Sequence, residues 1–112
     1  MKIAIPTSEG LLSPHFGHCS EFTIADVEPS AKTVSTQEVI PAPPHEPGML
    51  PRWLKELGVE VVIAGGMGSH AQSLFAEQGV QVIIGAPANP ISTILDSYLS
   101  GMLLTGVNQC DH

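Results

Sequence analysis

Positive charge is scarce in this chain: four Lys and Arg residues stand against eleven Asp and Glu, for a net charge of −7. Lys2, Lys32, Arg52 and Lys55 are scattered along the sequence. Phosphate backbones are neutralised by clustered cations, so the balance argues against nucleic acid, and an acidic membrane surface would repel the chain likewise. Long apolar runs are missing too, none approaching the roughly 20 residues of a membrane span. Cysteine is limited to Cys19 and Cys110; two such residues read as reduced thiols rather than a disulfide framework. The opening MKIAIPTSEG has one lysine and a very short apolar stretch before a turn. It reads as a strand, not a signal peptide, and a cytoplasmic protein is expected. Catalytic signatures are absent as well: there is no G-x-S-x-G, C-x-x-C or H-E-x-x-H, so no enzyme class is specified.

What is present suits a globular domain. At 112 residues and 43% hydrophobic, the chain can bury one core without metal or disulfide staples. We read residues 1–112 as a single domain, with about 105–112, including Cys110 and His112, as a solvated tail.

Hydrophobic patterning gives the elements. KIAIPT (2–7) alternates as a strand and stops at Pro6 and Thr7. EFTIADVE (21–28) and KTVSTQEVI (32–40) are β-branched and separated by a turn, hence an antiparallel hairpin. The proline-rich PAPPHEPG (41–48) allows neither helix nor central strand and is long enough for a mobile flap. PRWLKELG (51–58) predicts a short helix with Pro51 in its first turn. VEVVIAG (59–65) and QVIIGA (81–86) are nearly continuous apolar runs, typical of strands covered on both faces. Between them GSHAQSLFAEQG (68–79) predicts a helix with Ser69 and Gln72 as a capping box and Gly79 as its stop. NPISTILDSYLSG (89–101) predicts a helix capped by Asn89, with Pro90 in its first position and Met102 closing an apolar stripe. The order β-β-β-α-β-α-β-α predicts a five-stranded mixed α/β sheet with helices on both faces and residues 2–7 central.

In open α/β sheets, ligands bind beyond the carboxyl ends of the strands. Two loops leave such ends here. Loop 8–20 holds His15, His18 and Cys19 around Gly17 in LLSPHFGHCSEF; these are ligand types for zinc, iron or copper. The plainer reading has the histidines capping loop backbone and Cys19 packed as a small apolar residue. No second ligand pair completes a zinc site. The GGMGSH turn (65–70) offers Gly65, Gly66, Met67, Gly68 and Ser69, with His70 a further ligand. Its glycines let a bulky group approach, and its helix start favours negative charge. Anion binding should then rely on the helix end at Ser69 and Ala71 and survive loss of any one lysine. The turn lacks the lysine and full spacing of nucleotide-binding loops, and no acid on the first strand supports a two-metal nuclease. His45 reads as exposed, and Met49 and Met102 as core fillers. With Gly17 and little apolar mass, loop 8–20 is expected to be mobile until a ligand holds it. Cys19 should matter most to a thiophilic metal, then His15, with His18 dispensable.

These residues resemble a known family. MKIAIPTSEG leading to PHFGHCSEF, VIAGGMGSHAQSLFAEQGVQVI and the closing YLSGML are similar to the dinitrogenase iron–molybdenum cofactor biosynthesis family, over almost the whole chain. The resemblance implies a ribonuclease H-like fold and binding rather than turnover. The implied ligand is an anionic metal–sulfur cluster containing molybdenum, iron or copper, exchanged with cluster-donating or cluster-accepting proteins. Its expected contacts are Phe16, Gly17 and the GGMGS backbone, with His15, His18, Cys19 and His70 toward metal. The competing reading is a module for a phosphorylated small molecule or a partner protein, with a structural histidine loop.

Overall fold

The computed structural model describes residues 1–14, 16, 19–43, 49–103, 105 and 106. His15, Gly17, His18, residues 44–48 with His45, and residues 107–112 with Cys110 and His112 lie outside the described residues, as does Leu104.

Lys2–Ser8 (β1) is the first element of the chain and the centre of the sheet. Glu9 and Gly10, both at positive φ (+54° and +81°), turn the chain back into a two-residue strand, Leu11–Leu12 (β2), paired antiparallel with Thr7 and Ser8. Positive φ at both central positions matches the right-handed twist of a hairpin. Glu21–Glu28 (β3) and Thr33–Pro41 (β4) form the predicted hairpin, and Met49–Glu56 (α1) the predicted short helix. Val59–Ile63 (β5), Ser69–Glu77 (α2), Gln81–Ile83 (β6) and Ile91–Leu99 (α3) complete the chain. The strand order is β4-β3-β1-β5-β6, with β2 beside β1 off that path. β5 runs parallel to β1 and to β6, while β3 is antiparallel to β1 and β4. The expectation of a central first strand flanked by the hairpin and 59–65 holds, with the strand ending at Ile63, and the sheet gains β2 as a sixth strand.

Alternation along the strands sends the core to two faces. Ala4, Phe22, Ile24, Val62 and Ala64 pack with Leu50 and Leu54 of α1 and Phe75 of α2. Ile3, Ile5, Ala25, Val27, Val61 and Ile63 pack with Ile91, Ile94 and Leu95 of α3. Helices therefore cover both faces, as expected. One buried polar pair interrupts the α3 side. The Thr7 hydroxyl donates to the Ile5 carbonyl at 2.8 Å and lies 2.7 Å from the Thr23 hydroxyl.

Several local expectations are corrected. Ser69 and Gln72 make no capping box: Gly68 is the N-cap residue of α2 without a side-chain bond, and the Gln72 amide donates instead to the Met67 carbonyl at 2.9 Å. Asn89 does not cap α3. Its carbonyl accepts from the Leu12 N–H at 3.0 Å, and Pro90 occupies the cap position. Met102 is not core. α3 ends at Leu99, Gly101 turns the chain at φ +76°, and Met102 is 73% exposed. β6 is a short, half-buried edge strand rather than a fully covered one through Ala86, because no strand among the described residues pairs beyond it.

Candidate functional site

Three segments meet beyond the carboxyl ends of β1 and β5. Loop 13–20 leaves β2, the GGMG turn (65–68) leaves β5, and the chain after β6 returns alongside both. The Phe16 N–H donates to the Gly66 carbonyl at 3.1 Å, joining the first loop directly to the turn. The Gly85 N–H donates to the Gly65 carbonyl at 3.0 Å, and the Gly106 N–H to the Gly85 carbonyl at 2.7 Å. Gly66, Gly65, Gly85 and Gly106 are thus tied together through backbone bonds.

The glycines of the turn do different things. A Cβ on Gly65 would lie 3.1 Å from the Pro14 Cα, 3.3 Å from the Ala86 carbonyl oxygen and 3.3 Å from Leu12 Cδ2. Gly65 is therefore needed where loop, turn and β6 exit converge. A Cβ on Gly68 would meet nothing within 4 Å, so the open side of the turn is at Gly68 and the exposed Ser69 and His70. There the first backbone N–H groups of α2 have no intrahelical acceptor, and no side chain caps them. Room for bulk and a partial positive charge coincide at that helix start. Met67, only 1% exposed, points inward and packs with the α1–α2 core.

Phe16 and Cys19 are buried anchors within loop 13–20. Phe16 is 4% exposed and makes edge-on contacts with Phe22 and Phe75, at centroid distances of 5.7 and 5.5 Å. Such pairs add to the burial of the rings themselves. The expectation that the loop carries little apolar mass overlooked this ring. Cys19 is buried beside it, 3% exposed, its thiol donating to the Phe16 carbonyl at 3.2 Å. Burial pushes this thiol from its ordinary 9.0 up to about 11, outweighing the opposing backbone hydrogen bond at Cys19.

Of the expected contacts, the structure brings together Phe16, Gly65, Gly66, Met67, Gly68, Ser69 and His70 at one end of the sheet, with Cys19 behind Phe16. His15, Gly17 and His18 flank Phe16 in sequence and are not described. Among the described residues no group of three or more His, Cys, Asp and Glu is close enough to hold a metal ion, and no helix is long and apolar enough to cross a membrane. Sequence reasoning passed over Pro14, Gly85 and Gly106. Gly85 sits at φ +81°, where a side chain would collide with the Gly106 carbonyl; the signal was the GAP following an apolar strand.

A mixed α/β fold whose strand ends carry a glycine turn, an uncapped helix start and an anchored ligand-rich loop defines a binding module. The particular kind follows from similarity: the pattern of the dinitrogenase iron–molybdenum cofactor family matches residues 1–101. The chain belongs to that family. An uncharacterised protein of Methanocaldococcus jannaschii, MJ0580, is 32% identical over 108 residues, covering 92% of this chain and 89% of that one. The crystal structure of PH0822 superposes with a TM-score of 0.90 at 29% identity over the whole of both chains. The apo orange protein of Desulfovibrio gigas shares the fold, with a TM-score of 0.75 at 20% identity over 96% of this chain and 93% of that one.

Proposed function

We propose that this protein is a non-catalytic carrier that binds an anionic metal–sulfur cluster as cargo at the end of the sheet between loop 13–20 and the GGMGS turn. The observation that carries the reading is the family match across residues 1–101, which spans both segments. The geometry is compatible with it. A sulfide-rich anion needs backbone N–H groups, open space and a few imidazole donors rather than a closed tetrahedral cage. The uncapped start of α2 and the empty space over Gly68 supply the first two. His15, His18 and His70 are the proposed metal donors, with Phe16 and Gly17 shaping the loop. Cys19, a metal donor in the sequence reading, is assigned with Met67 to the inner wall, because its side chain is 3% exposed and its thiol is engaged with the Phe16 carbonyl. The cargo contains molybdenum, iron or copper with sulfide, taken from and passed to cluster-handling proteins.

A ribonuclease H-like architecture belongs to the same reading. It is supported by the antiparallel β4-β3-β1 set continued by parallel β5 and β6. A cytoplasmic location is supported by Cys19 standing as a free thiol. Equilibrium dialysis under argon against tetrathiomolybdate, with and without Cu(I), tests the function. Retained molybdenum with a visible charge-transfer band is expected, insensitive to excess inorganic phosphate. Displacement by phosphate, or no retention, would favour the phosphorylated-ligand reading instead.

A further inference from the structure

The sheet has two edges, and they are not alike. β6 is three residues long, whereas β4 spans nine, pairs only with β3 among the described residues, and is exposed along most of its length. Natural edge strands are blunted by lysine, by proline or by bulges, because an unpaired row of N–H and C=O groups invites another strand. β4 has no lysine, and its proline comes only at its last position, Pro41. The register irregularity lies between Asp26 and Val27, so the ladder from Asp26–Thr36 to Glu21–Pro41 is regular. Val39 in that stretch is 53% exposed.

A groove runs along each face of this edge, and Gln37 borders both. One, of about 410 Å³, is lined by Lys2, Ile24, Asp26, Thr36, Gln37 and Glu38. The other, of about 400 Å³, runs past Glu21, Thr23, Val39 and the start of α3. In the first groove Lys2 offsets one of the two carboxylates, and in the second Glu21 faces no lining cation. The Lys2 ammonium donates to the Leu57 carbonyl at 3.2 Å, and the Asp26 carboxylate is met by the amino terminus at 3.4 Å. Glu21 and Glu38 make no ion pair among the described residues. The whole hairpin carries Glu21, Asp26, Glu28 and Glu38 against Lys32 alone.

We propose that β4 is a docking edge that takes up an extended, basic segment of a partner protein as an added strand. Alternate side chains of such a segment fall to opposite faces, so its lysines or arginines enter the groove at Glu38 while its apolar side chains enter the groove that holds Val39. A second copy of this chain fits less well, because each brings a net charge of −7 and another acidic hairpin. The site end of the sheet adds a consequence. The Ala42 N–H donates to the Ser20 carbonyl at 3.0 Å, so a strand laid on β4 ends beside the candidate cluster loop. Assigning this partner to cluster exchange rests on the proposed carrier function; the docking edge itself does not.

The test uses the ¹⁵N-labelled full chain without cluster and three acetylated seven-residue peptides. One alternates valine and lysine, one valine and glutamate, and one keeps the lysines but replaces the valines with proline. The lysine peptide is expected to shift amides of residues 33–41 and slow their hydrogen exchange. The glutamate peptide should bind about fivefold more weakly or worse, and Glu38→Lys, an exposed change, should narrow or reverse that preference. Shifts centred elsewhere, no binding at millimolar peptide, or equal binding of the proline peptide (charge without strand addition) would overturn the proposal. So would self-association through residues 33–41 in sedimentation of the protein alone. Metal retention is read separately, so a failed carrier function leaves this result interpretable.

Discussion

Replacing Gly65 with alanine separates two roles that a glycine at a binding turn can have. Were Gly65 there to admit a ligand, Gly65→Ala would leave the fold intact and impair binding alone. The structure predicts the opposite order. The new methyl would press on the Pro14 backbone at 3.1 Å and on the Ala86 carbonyl at 3.3 Å, and backbone on two sides yields less readily than a side-chain tip. Overpacking of this kind costs about 1–3 kcal/mol. For a chain of this size that corresponds to a fall in Tm of about 3–6 °C per kcal/mol, or roughly 6–12 °C for a cost near 2 kcal/mol. Urea denaturation followed by circular dichroism, with the slope compared to the parent, reads the change in midpoint. Gly68→Ser is the control: nothing lies within 4 Å of its Cβ position, its φ of −65° is ordinary, and a serine there gains a cap. It should be neutral or stabilising by a few tenths of a kcal/mol. A Gly65→Ala protein within about 0.5 kcal/mol of the parent would refute the reasoning.

Two further predictions concern buried polar groups. Thr7→Val leaves the Thr23 hydroxyl without its 2.7 Å partner and should cost about 1–3 kcal/mol, while the Thr7→Val/Thr23→Val pair costs less than the sum of the single changes; additive costs in a denaturation cycle would contradict the pairing. Cys19 is favoured as a neutral thiol in the fold, at about 11 against an ordinary 9.0. Its contribution is fully present below pH 9 and is lost as pH rises toward 11, by about 1–2 kcal/mol after allowance for screening. Comparison with Cys19→Ala should show a shallower decline in the variant, and identical slopes over that window would count against a buried thiol.

The sheet was legible because β1 alternates, β3 and β4 are β-branched around a turn, and β5 is a nearly continuous apolar run covered on both faces. β2 was not. Leu11 and Leu12 are strand only because distant groups hold them: Ser13 donates to Pro6 at 2.7 Å and Leu12 to Asn89 at 3.0 Å. Helix starts were misread for the same reason. Ser69 and Asn89 have the chemistry of caps, yet the Gln72 side chain is committed to Met67, and the first bond of α3, from the Ile94 N–H to the Pro90 carbonyl, begins one residue past Asn89. At the site, the glycines and ligand types were visible, but their division of labour was not. Whether a glycine admits a ligand or a neighbouring loop depends on Pro14 and Ala86, far from it in sequence. Likewise Cys19 has the right element for a metal, and its burial against Phe16 and Phe22, the ground for proposing it as wall, does not show in composition.

The most direct test of cluster carriage at this end of the sheet is anaerobic loading of the parent, His15→Ala, His18→Ala, His70→Ala and Cys19→Ser proteins. Each is incubated with tetrathiomolybdate and Cu(I), passed through gel filtration, and assayed for bound molybdenum and copper per folded chain. Metal retained by the parent and by folded Cys19→Ser, and lost in at least one of the three histidine variants, is the predicted result. Metal retained equally by all five, or lost only in Cys19→Ser while it remains folded, would contradict the site as drawn.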